Sequence, residues 1–199
     1  HPPDSATTAV FCEVSDPASI DSAFHQVEKA NGPVEVLVAN AGIRRDRILA
    51  QMPPQDFTRV VDTNLTGVFH TVRRAVPGML RLGRGRIVLV SSAIALTGGA
   101  GQTNYAATKA GLTGLARSLV RELGSRDITA NVVAPGLVRT AMTEGLSQHQ
   151  RERLLERTPQ RRLIEAAEVA HAVEFLTADA ASAVTGAVLP VDGGFAMGH

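Results

Sequence analysis

Residues 85–123 read GRIVLVSSAIALTGGAGQTNYAATKAGLTGLARSLVREL. The run 86–90 is rich in Val and Ile and shows little polar alternation, as a strand buried on both faces should. It ends at Ser91-Ser92. After a glycine-rich loop, 102–123 turns rich in Ala, Leu and Gly and reads as a helix. A strand followed by a helix that returns over a sheet is the unit of a parallel crossover.

The same alternation extends in both directions. Short apolar runs at 9–14, 34–39, 128–134 and 187–191 are separated by helical candidates at 16–30, 54–82, 147–157 and 166–176. Asp16-Pro17 is a good helix opening. Pro77 is expected to kink or end a turn within 54–82. The expectation is one α/β domain over 1–199, with a doubly wound parallel sheet and no repeat or linker.

Composition narrows the function. Apolar residues make up 44% and charged residues 20% of the 199, which is ordinary for a globular chain. A net charge of +1 gives no electrostatic case for nucleic acid or a membrane surface. The apolar runs fall short of the ~18–20 residues that a membrane span needs. Cys12 is the only cysteine, so no internal disulfide forms, which suits a reducing cytoplasm. The six histidines are scattered without metal-ligand spacing, and no metal site is expected.

Ligands of open parallel sheets bind beyond the carboxyl ends of the strands. The residues there read Asn40-Ala41-Gly42, Ser91-Ser92 and Pro135-Gly136. Small and polar residues at three strand ends describe a backbone-lined cleft, although any one of them alone is an ordinary turn.

Tyr105 and Lys109 are four apart on the 102–123 helix, so both face one way. A phenol titrates near ~10, and a neighbouring ammonium would lower that value and make a general acid or base. Most such pairs are a half-buried tyrosine beside a solvated lysine. Here Tyr105 is the only tyrosine, and Lys109 is one of two lysines against eighteen arginines. Ser92 could donate to a carbonyl oxygen as charge develops, or be a turn serine like Ser91. Asn64 is a poor mid-helix residue, and its place within 54–82 points to a local bend or a bound water, against a plain surface asparagine.

Taken together these residues resemble the short-chain dehydrogenase/reductase family. The matching pieces are Asn40-Ala41-Gly42, Asn64, Ser92, Tyr105-Ala106-Ala107-Thr108-Lys109, and Pro135-Gly136 with Thr140, in the family's order across nearly the whole chain. Within it, Gly101-Gln102-Thr103-Asn104-Tyr105, 131–136 and 190–194 are similar to bacterial 3-oxoacyl-[acyl-carrier-protein] reductases. The resemblance implies a Rossmann-like fold and reduction of a 3-oxoacyl thioester in fatty acid biosynthesis. Tyr105 would be the proton donor, Ser92 the carbonyl-polarising group and Asn64 the holder of a relay water. Lys109 would bind the nicotinamide ribose and lower the tyrosine's pKa. NADPH is the implied cofactor, with NADH the alternative. Asn40, Ala41 and Gly42 would lie by the adenosine ribose. Pro135, Gly136, Val138 and Thr140 would border the nicotinamide. Glu13 and Val14 would lie by the adenine, with Glu13 where the family usually has Asp.

The family's glycine-rich phosphate loop has no counterpart in the sequence. Gly98-Gly99-Ala100-Gly101 lies in the substrate loop instead. The resemblance therefore implies that roughly fifty residues precede His1, supplying the phosphate loop and the first two strands. Those strands would separate 9–14 from 34–39, so 9–14 is expected to lack a strand neighbour. Residues 140–164 are expected to form a substrate lid, with Leu146, Leu154 and Leu155 on its apolar side. The implied partner is acyl carrier protein, docking on Arg126 and Arg84 near the active-site mouth. A homotetramer is also implied, packed through 54–82 and 102–123, with Ala106, Ala107, Ala110, Gly111 and Gly114 permitting close approach. The alternatives are a relative acting on a polyketide, sugar or steroid ketone or alcohol, and a non-catalytic binding or oligomerisation module.

Overall fold

A computed structural model describes residues 7–140, 143, 145 and 148–197. Four parallel strands form one sheet in the order β1-β2-β3-β4. They are β1 (Val36–Ala39), β2 (Gly85–Val90), β3 (Ile128–Pro135) and β4 (Val188–Val191). The register pairs Val38 with Val88, Val88 with Asn131, and Val133 with Leu189. All four strands point the same way, so their carboxyl ends share one edge, where the site residues gather.

The helices follow from local chemistry. In α1 (Pro17–Asn31) the Asp16 carboxylate accepts the Ala18 N–H at 3.0 Å, and proline fills the first turn. Gly32, with φ of +83°, ends it. α2 (Pro54–Val61) and α3 (Gly67–Leu82) are joined by a π-helical turn, Asp62–Thr66. A short α4 (Ile94–Thr97) precedes α5 (Thr103–Leu123). α6 (Gln148–Glu156) and α7 (Ala166–Thr177) complete the set, the latter opened by a reciprocal Glu165–Glu168 capping box.

Helices cover both faces. Leu37, Ile87, Leu89, Ala130 and Val132 pack with α1, α3 and α5 around Ile20, Phe24, Val72, Met79 and Leu112. On the other face Val88 and Val133 meet Leu176 of α7, with Val169 and Val173 beside it. Each such aliphatic side chain contributes about 1.5–3 kcal/mol by leaving water. Asn131 is fully buried in β3. Its amide donates to the Val184 carbonyl at 2.8 Å and accepts the Ala187 N–H at 3.1 Å, which fixes the approach to β4.

Two expectations need correction. The run 9–14 is not a strand; it is irregular and turns at Val14 into α1. No described strand lies beside it, and a strand without a ladder partner leaves its backbone groups unpaired. The 54–82 segment is not one helix. It breaks at the π-turn around Asn64, while Pro77 sits inside α3 without ending it. Gly111 is also committed within the subunit, because a Cβ there would lie 3.3 Å from Leu65. Ala107, Ala110 and Gly114 remain exposed. In the lid region, Leu146 lies outside the described residues, as do 141–142, 144 and 147, while Leu154 and Leu155 are half-buried.

The π-turn is held against the segment before α1. A Cβ on Gly67 would come within 2.7 Å of the Val14 carbonyl oxygen, a backbone atom that cannot swing away. Gly67→Ala should therefore destabilise the fold by about 1–3 kcal/mol, read as a lowered urea midpoint at unchanged m-value.

Candidate active site

Three strand ends build the site. β2 runs out at Val90 into Ser91 and Ser92, β1 into Asn40-Ala41-Gly42, and β3 into Pro135-Gly136. Tyr105 and Lys109 come from the first turns of α5, which packs on β3. Lys109 reaches inward, 3% exposed, and its Nζ donates to the Val90 carbonyl at 2.7 Å. The same Nζ lies 5.8 Å from the centroid of the Tyr105 ring. The four-residue spacing thus places both side chains at the end of β2.

Two residues that the sequence reading passed over hold this helix. Ser91 Oγ donates to the Lys109 carbonyl at 2.8 Å, pinning α5 to the strand end. Asn104, fully buried in the first turn, accepts the Tyr105 N–H at 2.7 Å and donates to the Arg45 carbonyl at 2.9 Å. An asparagine inside a helix, where it is a poor former, was the available signal for the second. Ser91 had none that set it apart from its neighbour.

Asn64 lies at the centre of the π-turn and is fully buried. Its side-chain amide pairs with both backbone groups of Ile43, accepting the N–H at 2.8 Å and donating to the carbonyl at 2.9 Å. It also donates to Thr108 Oγ1 at 3.4 Å, and that hydroxyl donates to the Tyr105 carbonyl at 2.8 Å. Asn64 therefore ties the loop after β1 to the turn of α5 that carries Tyr105 and Thr108. Gly42 is the close point of that loop. A Cβ there would stand 3.3 Å from both Asn64 Oδ1 and Lys109 Nζ.

Electrostatics differ from the simplest expectation. Burial pushes the Tyr105 phenol up from its ordinary value, and Asp46 adds to this. A hydrogen bond with Ser92 and the charge of Arg44 pull it back. The expected lowering is thus not realised in the protein alone, because desolvation outweighs its neighbours. Burial also lowers Lys109 to about 8.

The remaining candidates lie around this centre. Ser92 is half-buried, and its Oγ accepts the Ile94 N–H at 3.2 Å. Asn40 and Ala41 are exposed at the end of β1. Gly136 donates to the Val191 carbonyl at 3.0 Å, and a Cβ there would meet the Asp192 backbone at 2.7 Å. Val138 bridges to Ile164, and Thr140 is exposed with its N–H on Thr143 Oγ1 at 3.0 Å. Val14 is half-buried. Glu13 is exposed and its carboxylate turns back on Ser15, accepting from the backbone N–H at 3.0 Å and the hydroxyl at 2.8 Å. It lines a cavity of about 360 Å³ together with Ile43, Arg59 and Thr66.

Arg84 and Arg126 stand elsewhere. They precede β2 and β3, at the amino ends of the strands, whereas Ser92 and Tyr105 lie at the carboxyl ends. A six-residue strand separates the two edges by about 20 Å. Arg84 is further engaged by Glu35 and Asp179, both at 3.3 Å. Within one subunit these arginines do not flank the active-site mouth. Among the described residues no cluster of His, Cys, Asp or Glu could hold a metal ion, and no helix is long and apolar enough to cross a membrane.

A buried ammonium has a signature in stability. Its folded pKa of about 8 lies below the ordinary 10.5, so the folded state holds fewer protons between those values. The charged lysine burdens the fold below pH 8, and the burden lifts as pH rises toward 10.5. Relative to Lys109→Met, the wild-type protein should gain about 3 kcal/mol from pH 7.5 to pH 10.5, measured by urea unfolding at both pH values.

Comparison with known proteins gives the family. A family model described as enoyl-(acyl carrier protein) reductase matches residues 3–196. A Mycobacterium avium protein named 3-oxoacyl-[acyl-carrier-protein] reductase MabA is 48% identical over 190 residues, covering 96% of this chain and 74% of the relative. The Escherichia coli 3-oxoacyl-[acyl-carrier-protein] reductase FabG is 45% identical over 188 residues, covering 94% and 77%. With its parallel sheet, its strand-end cleft and these relatives, the chain belongs to the short-chain dehydrogenase/reductase family of oxidoreductases.

Proposed function

We propose that the protein reduces the 3-oxoacyl thioester of an acyl carrier protein to the 3-hydroxyacyl form at the expense of NADPH. The observation that carries this reading is the meeting of Ser92, Tyr105 and Lys109 at the carboxyl end of β2, in a chain whose relatives bear that activity in their names. A cytoplasmic setting and a homotetramer are part of the same reading. The exposed Ala107, Ala110 and Gly114 on α5 leave room for a symmetry mate.

The residues present fit the nicotinamide half of such a cofactor. Gly42 and Gly136 keep two backbone segments bare at the ends of β1 and β3. Between them lie an ammonium and two hydroxyls, a donor set suited to a ribose and a carboxamide. Asn40, Ala41, Glu13 and Val14 extend from there toward the adenosine, along the cavity that Glu13 shares with Ile43 and Thr66. Among the described residues no glycine-rich turn joins a strand to a helix, so the pyrophosphate donors are assigned outside them. When bound, the cofactor supplies a hydride to the carbonyl carbon.

The protein's own groups manage the oxygen and the proton. Ser92 donates to the carbonyl oxygen and holds it beside the Tyr105 phenol. As charge grows on that oxygen, Tyr105 gives up its proton and the product leaves as the alcohol. Lys109 stabilises the phenolate left behind, and its own pKa of about 8 suits it to pass a proton onward at neutral pH. Asn64 keeps the loop over this centre in place, and a relay water at the π-turn would return a proton from solvent. The raised phenol pKa has a direction in use. Tyr105 stays protonated through neutral pH, which favours reduction, whereas oxidation of the alcohol needs the phenolate and should quicken as pH rises.

Loss of reduced cofactor, followed on a panel of 3-oxoacyl thioesters and sugar and steroid ketones, tests the reading. The thioester should be preferred. Tyr105→Phe should lower its turnover by at least about 100-fold while the protein keeps its circular dichroism spectrum. Preference for a sugar or steroid ketone would assign a different substrate, and undiminished turnover by the Phe variant would remove Tyr105 from the chemistry.

A further inference from the structure

β3 ends at Pro135, on the edge of the sheet where Ser92 and Tyr105 lie. The chain leaves the sheet there and comes back at Ile164, and the base of this excursion is closed. Val138 bridges Ile164, the Arg139 N–H donates to the Ile164 carbonyl at 2.9 Å, and the Ile164 N–H donates to the Leu137 carbonyl at 2.9 Å. Within the excursion stands α6, which buries none of its residues. Core packing therefore does not hold α6 in place at that edge.

A second attachment does so, at the turn that follows β4. Asp192, itself buried, sets this turn by accepting the Gly194 N–H at 2.9 Å and the Ala196 N–H at 2.8 Å. Gly193 and Gly194 have φ of +64° and +89°, the left-handed region that favours glycine. Their bare backbone receives the end of the excursion. A Cβ on Gly193 would stand 3.0 Å from the Thr158 methyl, and one on Gly194 3.0 Å from the Pro159 ring. The Gln160 N–H donates to the Gly193 carbonyl at 3.1 Å. Thr158 is buried, and its hydroxyl donates to the Leu154 carbonyl of α6 at 2.9 Å. Next to it the Arg157 guanidinium lies 4.9 Å from the centroid of the half-buried Phe195 ring. Arg157 has no ion pair among the described residues, and the negative face of the ring is the partner that its charge meets.

We infer that Arg157 and Phe195 are positioning residues: their contact ties the end of α6 to the turn after β4 and so sets where α6 stands beside the Tyr105 cleft. The same turn is joined to the end of β3, because the Gly136 N–H donates to the Val191 carbonyl at 3.0 Å. The tie is a property of the fold. Its effect on turnover rests on the reductase reading above, with the acyl chain of the substrate passing under α6.

Tryptic cleavage after Arg151 and Arg153 in the native full-length protein reads the tie directly, since α6 has to loosen to enter a protease. Phe195→Leu and Arg157→Gln should each speed this cleavage about threefold, the scale of an exposed contact between a cation and a ring. Phe195→Tyr keeps the ring face and should match wild type. The double variant should be cut no faster than either single one. On a 3-oxoacyl thioester of N-acetylcysteamine, the Leu and Gln variants should raise KM about threefold and leave kcat within about twofold, because Ser92, Tyr105 and Lys109 are untouched. Cleavage unchanged in the Leu and Gln variants, or quickened as much in the Tyr variant, overturns the tie. Faster cleavage at unchanged KM overturns its part in substrate binding. A wild-type enzyme inactive on every thioester overturns the reductase reading, and the cleavage rates still decide the tie.

Discussion

Lys109 Nζ donates to the carbonyl of Val90 at 2.7 Å, from a position almost closed to water. That carbonyl is the last of β2, left over where the ladder ends. An ammonium carries three donors, and this one spends the first on the strand end. The others remain for whatever enters the cleft. The cost of burial appears directly in the lysine's pKa of about 8. Such a group would not persist in a core for stability alone, since a methionine of similar volume would lie there without penalty. The sheet therefore supports a residue that works against the fold's own energetics, a usual mark of a functional centre.

The surrounding structure answers that constraint. Ser91 takes the Lys109 carbonyl and stops α5 from sliding along β3. Asn104 accepts the Tyr105 N–H and reaches back to the loop after β1. Asn64 joins that loop to the same turn of α5 through Ile43 and Thr108. Three buried side-chain amides or hydroxyls thus hold the ends of β1 and β2 and the π-turn against α5 around one lysine. The π-turn is part of this arrangement. A regular helix through 62–66 would rotate Asn64 by most of a residue's turn, about 100°, and its amide would no longer face Ile43.

Much of this was legible in the sequence because it was written in patterns that physics makes unavoidable. Strands buried on both faces have to be apolar without alternation, so 86–90 and 128–134 declared themselves. The pair Tyr105 and Lys109 followed from helix periodicity. The run 9–14 misled for the same reason that the others succeeded. Its composition is that of a strand, but composition is only half of a strand, and the ladder neighbour is the other half. The break at 62–66 was hinted at by Asn64 and not located, because a π-turn has no composition of its own. Ser91 and Asn104 escaped because their contacts are to backbone groups distant in the chain, at Lys109 and Arg45. The direction of the Tyr105 shift is set by the folded surroundings, since spacing says which groups are near and burial decides which influence prevails.

The division between the two ends of the sheet bears on how a large substrate reaches the centre. Arginines occur at both ends, but they are in different states. At the amino ends Arg84 is tied to Glu35 and Asp179, and Arg86 is buried with Asp127, so their charge is consumed in holding turns together. At the carboxyl ends Asp46 of the loop 44–47 is met by Gln102 and Arg44, while Arg45 and Arg47 are exposed. A charge neutralised within the fold contributes little to a field felt by an approaching partner, and an unpaired one at the rim contributes most to encounter rate and orientation. The same short segment is held at Ile43 by Asn64 and at Arg45 by Asn104.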